Sequence, residues 1–493
     1  MLGSGTHELY RDLLYPGGIP NAAPAAGVLG LIGAPAVAAF PDRLRRDPLT
    51  LVPVTQGLAS IAVDYNLHPT LDAFWQERGF RGDVNDLPIL MVDGFFDVES
   101  RGAFQAFQEL RDDGAHLLVV GAHDGVPVRS GGYGHQRAAW YDRYLRDDDN
   151  GIDRVPAVQL FLADGDREDM LLDGAFVQAE GTDWPVPGTT WASLHLDPTV
   201  SATATSINDG TLTLEPAKDA TQSYPAVPSL PTATDPYNAA ILGIFNQSPS
   251  LTDMTLAEPL GLSYTTKPFA TDVLAAGPAS LELVLSSTSP ETDLYAVLSD
   301  VDPAGVAHPM ATGRLRSSFP DIDPAKSLSD SLGNVVQPYG RYDAKTPVAV
   351  AQEHRYQVEF WPIGNRFKTG HRLRLHVLGI SGASQPALPA VNTVRLGAGQ
   401  SRLLFPVLPG SDLAAAIGPA DPSPTTGPTS AASGRPYTAE SGSGVSPAAA
   451  TGSLVPLSST GSRSTETLLV AAMLGLVLAV IGRTRTIIRR QRR

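Results

Sequence analysis

Residues Pro88 to Gly125, PILMVDGFFDVESRGAFQAFQELRDDGAHLLVVGAHDG, decide how this chain is read. PILMVDGF is a short, continuous apolar run that ends in turn residues, the pattern of a strand covered on both faces. SRGAFQAFQELRDDG has helical apolar spacing and is closed by Gly114. HLLVVGAHDG is a second buried-strand run, QRAAWYDRYLRDD at Gln136 to Asp148 a second amphipathic helix, and VQLFLAD at Val158 to Asp164 a third strand. Strand, helix, strand, helix, strand is the signature of a parallel α/β sheet.

In open parallel sheets, functional residues sit on the loops just past the carboxyl ends of the strands. Two polar residues lie there: Asp97 after the first run and His123 after the second, 26 residues later. An acid followed by a histidine is the order of an α/β-hydrolase triad, in which the acid orients the imidazole and the histidine takes the proton of a serine. By position alone Asp97 could equally cap a helix and His123 sit unengaged in a loop.

Downstream the pattern changes. From Trp184 to Leu408 the chain reads as all-β: ASLELVLSSTS at Ala279 to Ser289 and HRLRLHVLGI at His371 to Ile380 alternate apolar and polar residues, and LYAVLSDVDPAG at Leu294 to Gly305 runs into an Asp-Pro turn. Such runs between turns predict a sandwich or jelly roll. Ser317 to Thr346 is polar and aperiodic and reads as a long loop. The first 85 residues, rich in Pro and Gly punctuation, look helical or irregular.

Beyond Ser411 a tract of Pro, Ser, Thr, Gly and Ala, including PADPSPTTGPTSAASGRP, has too few large apolar residues to offset the entropy of ordering, and reads as a flexible stalk. TLLVAAMLGLVLAVIG, Thr467 to Gly482, carries no charge and is followed at once by six arginines between Arg483 and Arg493. That predicts a single membrane-spanning anchor with a cytoplasmic basic tail and an outward-facing body.

The whole chain has 493 residues, 42% of them apolar, enough for real cores and about three domains. Its net charge is -15, and the only basic cluster lies at the extreme C-terminus, which argues against binding nucleic acid. The absence of cysteine excludes disulfides, thiolate metal sites and cysteine nucleophiles. His7, His68, His116 and His135 have no metal-ligand spacing, Asp293, Asp300 and Asp302 read as strand-end turn residues rather than calcium ligands, and the glycine-rich SGGYGHQ at Ser130 to Gln136 reads as a loop near His123. No cofactor or metal is expected.

Several segments together resemble the Xaa-Pro dipeptidyl-peptidase and cocaine-esterase (CocE/NonD) family of serine α/β-hydrolases. DLPILMVDGFFDVESRGAFQAFQEL resembles that family's acid-bearing segment, whose Gly-aromatic-aromatic-Asp turn matches Gly94, Phe95, Phe96 and Asp97. VVGAHDG resembles its histidine segment, though only Ala122 stands where the family more usually has a proline and a tryptophan. WYDRYLRDDDNGIDRVPAVQLFLADGD, DWPVP at Asp183 to Pro187 and WPIGNRFKTGHRLRLHV at Trp361 to Val377 resemble the crossing into its jelly roll and the jelly roll itself; YRDLLYPGGIP at Tyr10 to Pro20 resembles the start of its helical cap.

The resemblance, which covers roughly Tyr10 to Leu408, implies a helical cap region at 1–85, the C-terminal half of an α/β-hydrolase domain at 86–182 and a jelly-roll β-sandwich at 183–410; composition adds a stalk at 411–466, a transmembrane helix at 467–482 and a basic tail at 483–493. It implies Asp97 as the orienting acid, His123 as the general base, and a small ester or peptide as substrate.

No serine here has glycine at both -2 and +2; Ser263 and Ser381 each have only the preceding one. The nucleophile is therefore expected outside these residues, either upstream in a longer gene or on a separately encoded N-terminal half. The alternative is a non-catalytic surface protein that binds or scaffolds through its jelly roll, although only 7% of residues are aromatic, few for a carbohydrate-binding face.

Overall fold

A computed structural model describes residues 2–3, 7–21, 65–80, 87–96, 100–119, 134–164, 176–227, 253–255, 257–379 and 387–418. These belong to one compact unit, residues 1–420. Asp97, His123, Ser381, residues 130–133 and everything from 419 onward, including the run at 467–482, lie outside the described residues. Among the described residues no helix is long and apolar enough to cross a membrane.

The strand-helix alternation read from Leu87 onward is the observed order. Strand β1 (Leu2–Gly3) pairs in parallel with β2 (Leu90–Asp93). Helix α1 (Ala73–Gln76) lies in the N-terminal segment, and helix α2 (Ser100–Leu110) leads to β3 (His116–Val119), with Gly114 at φ +78° making the left-handed turn between them. Helix α3 (Gly134–Arg146) leads to β4 (Val158–Ala163), and β2, β3 and β4 are all parallel. The runs are continuously apolar because both faces are covered. Met91, Leu117, Val119 and Leu160 pack against Phe104 and Phe107 of α2, while Leu90, Val92 and Leu118 pack against Trp140 of α3. Phe104 and Phe107 are fully buried, each stabilising the unit by about 1.5–3 kcal/mol.

An antiparallel strand, β5 (Phe176–Gly181), pairs with β4. The chain then builds a second region from β6 (Thr190–Asp197), β7 (Asn208–Thr213), β8 (Ala220–Ala226), β9 (Leu262–Thr265), β10 (Val273–Ser287), β11 (Asp293–Val301), β12 (Ala307–Arg316), β13 (Leu328–Ser329), β14 (Val335–Gln337), β15 (His354–Phe367), β16 (Arg372–Leu378), β17 (Ala390–Leu396) and β18 (Arg402–Val407). The long β10 pairs with β18 and with β15, which closes the order β10-β15-β12-β11-β16-β9-β7-β6-β18 into a barrel-like sheet around one large core. Strand β15 also meets the parallel sheet, Asn365 pairing with Ala163 of β4, so the two regions share one hydrogen-bonded sheet.

Two details differ from the sequence reading. The stretch Ser317 to Thr346, expected as a loop, contains the two-stranded hairpin β13–β14, fixed to the barrel where Ser280 donates to the Val335 carbonyl at 2.6 Å. The first residues of the tract read as a stalk from Ser411 are ordered on the barrel: Leu413–Ile417 form helix α4, capped by the Asp412 side chain accepting from Ala415 N at 3.0 Å, with Leu413, Ala416 and Ile417 buried in the barrel core.

Candidate functional site

The carboxyl ends of β2 and β3 lie side by side, Asp93 opposite Val119 in the parallel register. Asp97 and His123 each follow four residues beyond this pair in the sequence. Both lie outside the described residues, so the site is built from the framework that delivers their segments.

Asp93 ends β2 fully buried, its Oδ1 accepting from Gly94 N at 2.7 Å. Phe95 and Phe96 follow, both buried, with the Phe95 ring centroid 5.7 Å from that of Phe104. On its other side Phe95 presses on Gly364 of β15, where an added Cβ would stand 2.2 Å from the ring. Only glycine admits the aromatic there, which gives the glycine of WPIGNRFKTG a physical reason.

At the start of α2, three residues past Asp97, Ser100 and Arg101 are buried. Arg101 Nε donates to both carboxylate oxygens of Glu359 of β15, at 3.0 and 3.1 Å, and Nη1 donates to Asp12 Oδ1 at 2.7 Å. Asp12 is fully buried, and its Oδ2 accepts from Glu8 N at 2.7 Å. Arg11 pairs with Glu8 at 2.6 Å, donates to the Gly340 carbonyl and lies 4.0 Å over the Tyr339 ring, whose hydroxyl donates to Glu8 at 2.9 Å. Burial alone would lower the pKa of Arg101, but Glu359, Asp12 and Glu8 outweigh it and hold the guanidinium firmly charged. Burial would raise Glu8, and Arg11 and Arg101 beside it bring it below the usual range. One network thus joins the N-terminal segment, α2, β15 and residues 339–340.

The other residues singled out in the sequence are engaged elsewhere. His7 meets Glu109 at 2.9 Å, His68 meets Asp72 at 2.5 Å, and His116, its pKa lowered by burial, lies against Trp140; His135 is exposed on α3. Asp293 pairs with Arg316 at 2.8 Å, Asp300 with His371 at 2.9 Å, and Asp302 with His308 at 3.3 Å, so these carboxylates answer to protein partners. No group of three or more metal-ligating side chains is disposed to hold an ion among the described residues. Ser263 meets His376 at 3.3 Å and His376 meets Ser299 at 3.1 Å, all wholly buried between barrel strands. Burial, and then the Arg374 charge, push the His376 pKa well down, so the ring is a neutral bridge in the core.

Residues missed in the sequence are Arg101, Asp12 and Glu359. Arg101 sits on the buried face of an amphipathic helix, and its partners lie 89 and 258 residues away along the chain. The visible signal was an arginine where the helical pattern calls for an apolar residue.

Comparison with known proteins places this architecture. Cocaine esterase from Rhodococcus sp. (strain MB1 Bresler) is 24% identical over 351 residues, covering 67% of this chain, and the chain spans 55% of that relative's length. A CocE/NonD family hydrolase from Staphylococcus aureus superposes with a TM-score of 0.61 at 17% identity, over 83% of this chain and 67% of the other. An aminopeptidase from a marine sediment Thaumarchaeota archaeon gives 0.54 at 16% identity, over 72% of this chain and 61% of the other. An alpha-amino acid ester hydrolase gives 0.52 at 16%, over 73% and 62%. These structural likenesses establish a shared fold. The model of the X-Pro dipeptidyl-peptidase C-terminal non-catalytic domain matches residues 150–396, which takes in the last parallel strand and most of the closed barrel, and it is to this family that the chain belongs.

Proposed function

We propose that this chain is the C-terminal part of a serine-type hydrolase that cleaves ester or prolyl-peptide bonds, with Asp97 as the orienting acid and His123 as the general base. The observation that carries the reading is the register of β2 and β3, whose adjacent carboxyl ends lead after equal intervals to an acid and a histidine. The names of the relatives, an esterase, an amino acid ester hydrolase and an aminopeptidase, agree with acyl chemistry.

In this mechanism a serine hydroxyl attacks the substrate carbonyl while His123 takes its proton, and Asp97 holds the imidazole in the right tautomer and stabilises the imidazolium. His123 then returns the proton to the leaving group, and water releases the acyl group by the same steps. The parallel strands β2, β3 and β4 would form the last part of an α/β-hydrolase sheet, and the closed barrel its jelly roll. Because no serine here stands in a Gly-x-Ser-x-Gly elbow, the nucleophile and oxyanion hole come from polypeptide outside these 493 residues, upstream in the gene or on a separate N-terminal half. The apolar run at 467–482 and the arginines after it would anchor the protein in the cell membrane with its body outside.

The test is to sequence upstream of Met1, and to express any such segment together with this chain. The expected outcome is a reading frame with a Gly-x-Ser-x-Gly elbow, labelling of its serine by a fluorophosphonate, turnover of p-nitrophenyl acetate or an aminoacyl-prolyl-p-nitroanilide, and a loss of about 10³-fold or more in Asp97→Asn and His123→Gln. A stop codon with no elbow nearby sinks the catalytic reading. It would favour the second reading, a surface protein that binds or scaffolds through its barrel, which draws on the non-catalytic character of the domain matched over residues 150–396.

A further inference from the structure

Between helix α3 and strand β4 the chain reads RDDDNGIDRVPA, Arg146 to Ala157, and Asn150 is the one asparagine of the sequence that a glycine follows. Asn150 is exposed, and its side-chain amide is held at both ends. Nδ2 donates to the Ala139 carbonyl of α3 at 2.7 Å, and Oδ1 accepts from Ile152 N at 3.1 Å. The second bond is an Asx turn, which folds the side chain over its own peptide toward Gly151. The amide carbon between the two bonded atoms is left open to attack.

Gly151 supplies the attacking atom. It has φ +81° and ψ 4°, a left-handed conformation that glycine takes without strain, and it has no Cβ to shield its nitrogen. Among the described residues the Gly151 N–H donates no hydrogen bond. The nearest atom to where a Cβ would stand is Nη2 of Arg154, at 3.3 Å, so a cation lies beside the group that must lose its proton. On the other partner, the Ile152 N–H bonded to Oδ1 draws electron density from the amide carbon and meets the oxyanion that forms on attack.

We propose that Asn150 is a site of spontaneous modification, in which the Gly151 nitrogen closes an imide on the Asn150 side chain and water opens it to aspartate or isoaspartate. Gly151 N gives its proton to solvent and bonds to Asn150 Cγ; the Cγ–Nδ2 bond breaks, and the nitrogen leaves as ammonia. Water then adds to one of the two imide carbonyls. Opening at Cγ restores the main chain with aspartate at 150, and opening at the main-chain carbonyl routes the chain through the side chain as isoaspartate. Nothing is oxidised or reduced, and solvent water is the sole co-reactant.

The change acts on α3. Neither product has a donor for the Ala139 carbonyl, so the bond that ties this turn to the helix is lost and two acceptors face each other. The new charge follows Asp147, Asp148 and Asp149 at the carboxyl end of α3, where the helix dipole disfavours an anion. Two residues on, Ile152 packs in the cluster with Trp140, Leu90 and Leu118 that holds α3 on the sheet. Modification at Asn150 therefore loosens α3 from β2 and β3.

The test holds the full chain at pH 8 in H₂¹⁸O, digests it and reads each asparagine peptide by mass spectrometry. The peptide with Asn150 is expected to take up ¹⁸O before any other, and to become a methyl acceptor for protein isoaspartyl methyltransferase. Asn150→Gln, which keeps an amide but closes the smaller ring poorly, should take up no label at that position. If another asparagine is labelled first and residue 150 stays unlabelled, the site is overturned. Label at 150 with aspartate alone and no methyl acceptance would mean direct hydrolysis, and would overturn the imide route. For the effect on α3, Asn150→Asp stands in for one product: amide hydrogen exchange in 134–146 should quicken by roughly 2- to 10-fold, the size of one lost hydrogen bond. Exchange at the native rate would overturn the loosening of α3 even where the modification itself is found.

Discussion

Single residues in the barrel carry charges deep into its walls, and their partners decide what removal costs. Arg374 is fully buried, with Nε on Thr265 Oγ1 at 2.9 Å, Nη2 on the Thr203 carbonyl at 2.7 Å and Nη1 on Glu258. Arg374→Met leaves Glu258 buried without its cation and should cost about 3–5 kcal/mol in denaturant unfolding. Adding Glu258→Gln should return a large part of that loss. Equal losses in the single and double variants would mean that packing, not the stranded carboxylate, sets the cost. At the turn before β16 the Asp300 hydrogen bond raises the His371 pKa against the effect of burial, with Asp302 helping and Lys368 opposing. A raised folded-state value means that the bond's stabilisation is complete below about pH 6.5, the unfolded value, and is lost as pH rises through the folded one. The difference in Tm between the native chain and His371→Gln should therefore be largest near pH 5–6 and shrink by pH 8. A difference that stays constant across that range would show that protonation of His371 contributes nothing.

Among the elements, the N-terminal segment is held by shape as much as by charge. Gly17 has φ +64°, and a Cβ there would stand 2.0 Å from the Arg314 carbonyl oxygen of β12. At Gly18 a Cβ would stand 2.5 Å from the Phe319 ring. Gly17→Ala should push this segment off β12, costing about 1–3 kcal/mol and exposing residues 7–21 to limited proteolysis before the barrel is cut. Proteolysis at the native rate would mean that the segment is anchored chiefly by the Asp12–Arg101 pair. How legible an element was in the sequence follows from its length and burial. Strands β2, β3 and β4 announce themselves because helices cover both faces, so their runs are wholly apolar. Strand β5, half exposed along FVQAEG, and the two- and three-residue strands of the β13–β14 hairpin offer no period long enough to read. Helix α4 is five residues long, too short for helical spacing to separate it from the low-complexity tract that follows. Near the candidate site, the strand ends that precede Asp97 and His123 were legible because they are local features. The grip of β15 on Phe95 and Arg101 was not, because it is made by residues more than 250 positions distant.

For the molecule as a whole, the question is whether the parallel sheet and the barrel unfold together. Sequence order separates them, but the packing does not: the cluster beneath β2, β3 and β4 also takes in Ala276 of β10 and Leu408 just after β18. Its centre is Trp184, fully buried, 4.3 Å from Phe104 by ring centroids, on the connection between β5 and β6. Elsewhere the join relies on the β4–β15 pairing at Asn365, the Arg101 network and the ion pair of Arg366 with Asp164 at 3.2 Å. The barrel keeps a large core of its own that does not include Trp184. Trp184→Ala should then do two things: cost about 3–5 kcal/mol as a large-to-small core change, and remove the apolar contact that couples the sheet to the barrel. Calorimetry of the native chain is expected to show one cooperative transition, and of Trp184→Ala two, with the barrel melting near its original temperature. A single transition moved down as a whole would place the coupling in the polar network instead, and Glu359→Gln would then be the change that splits it.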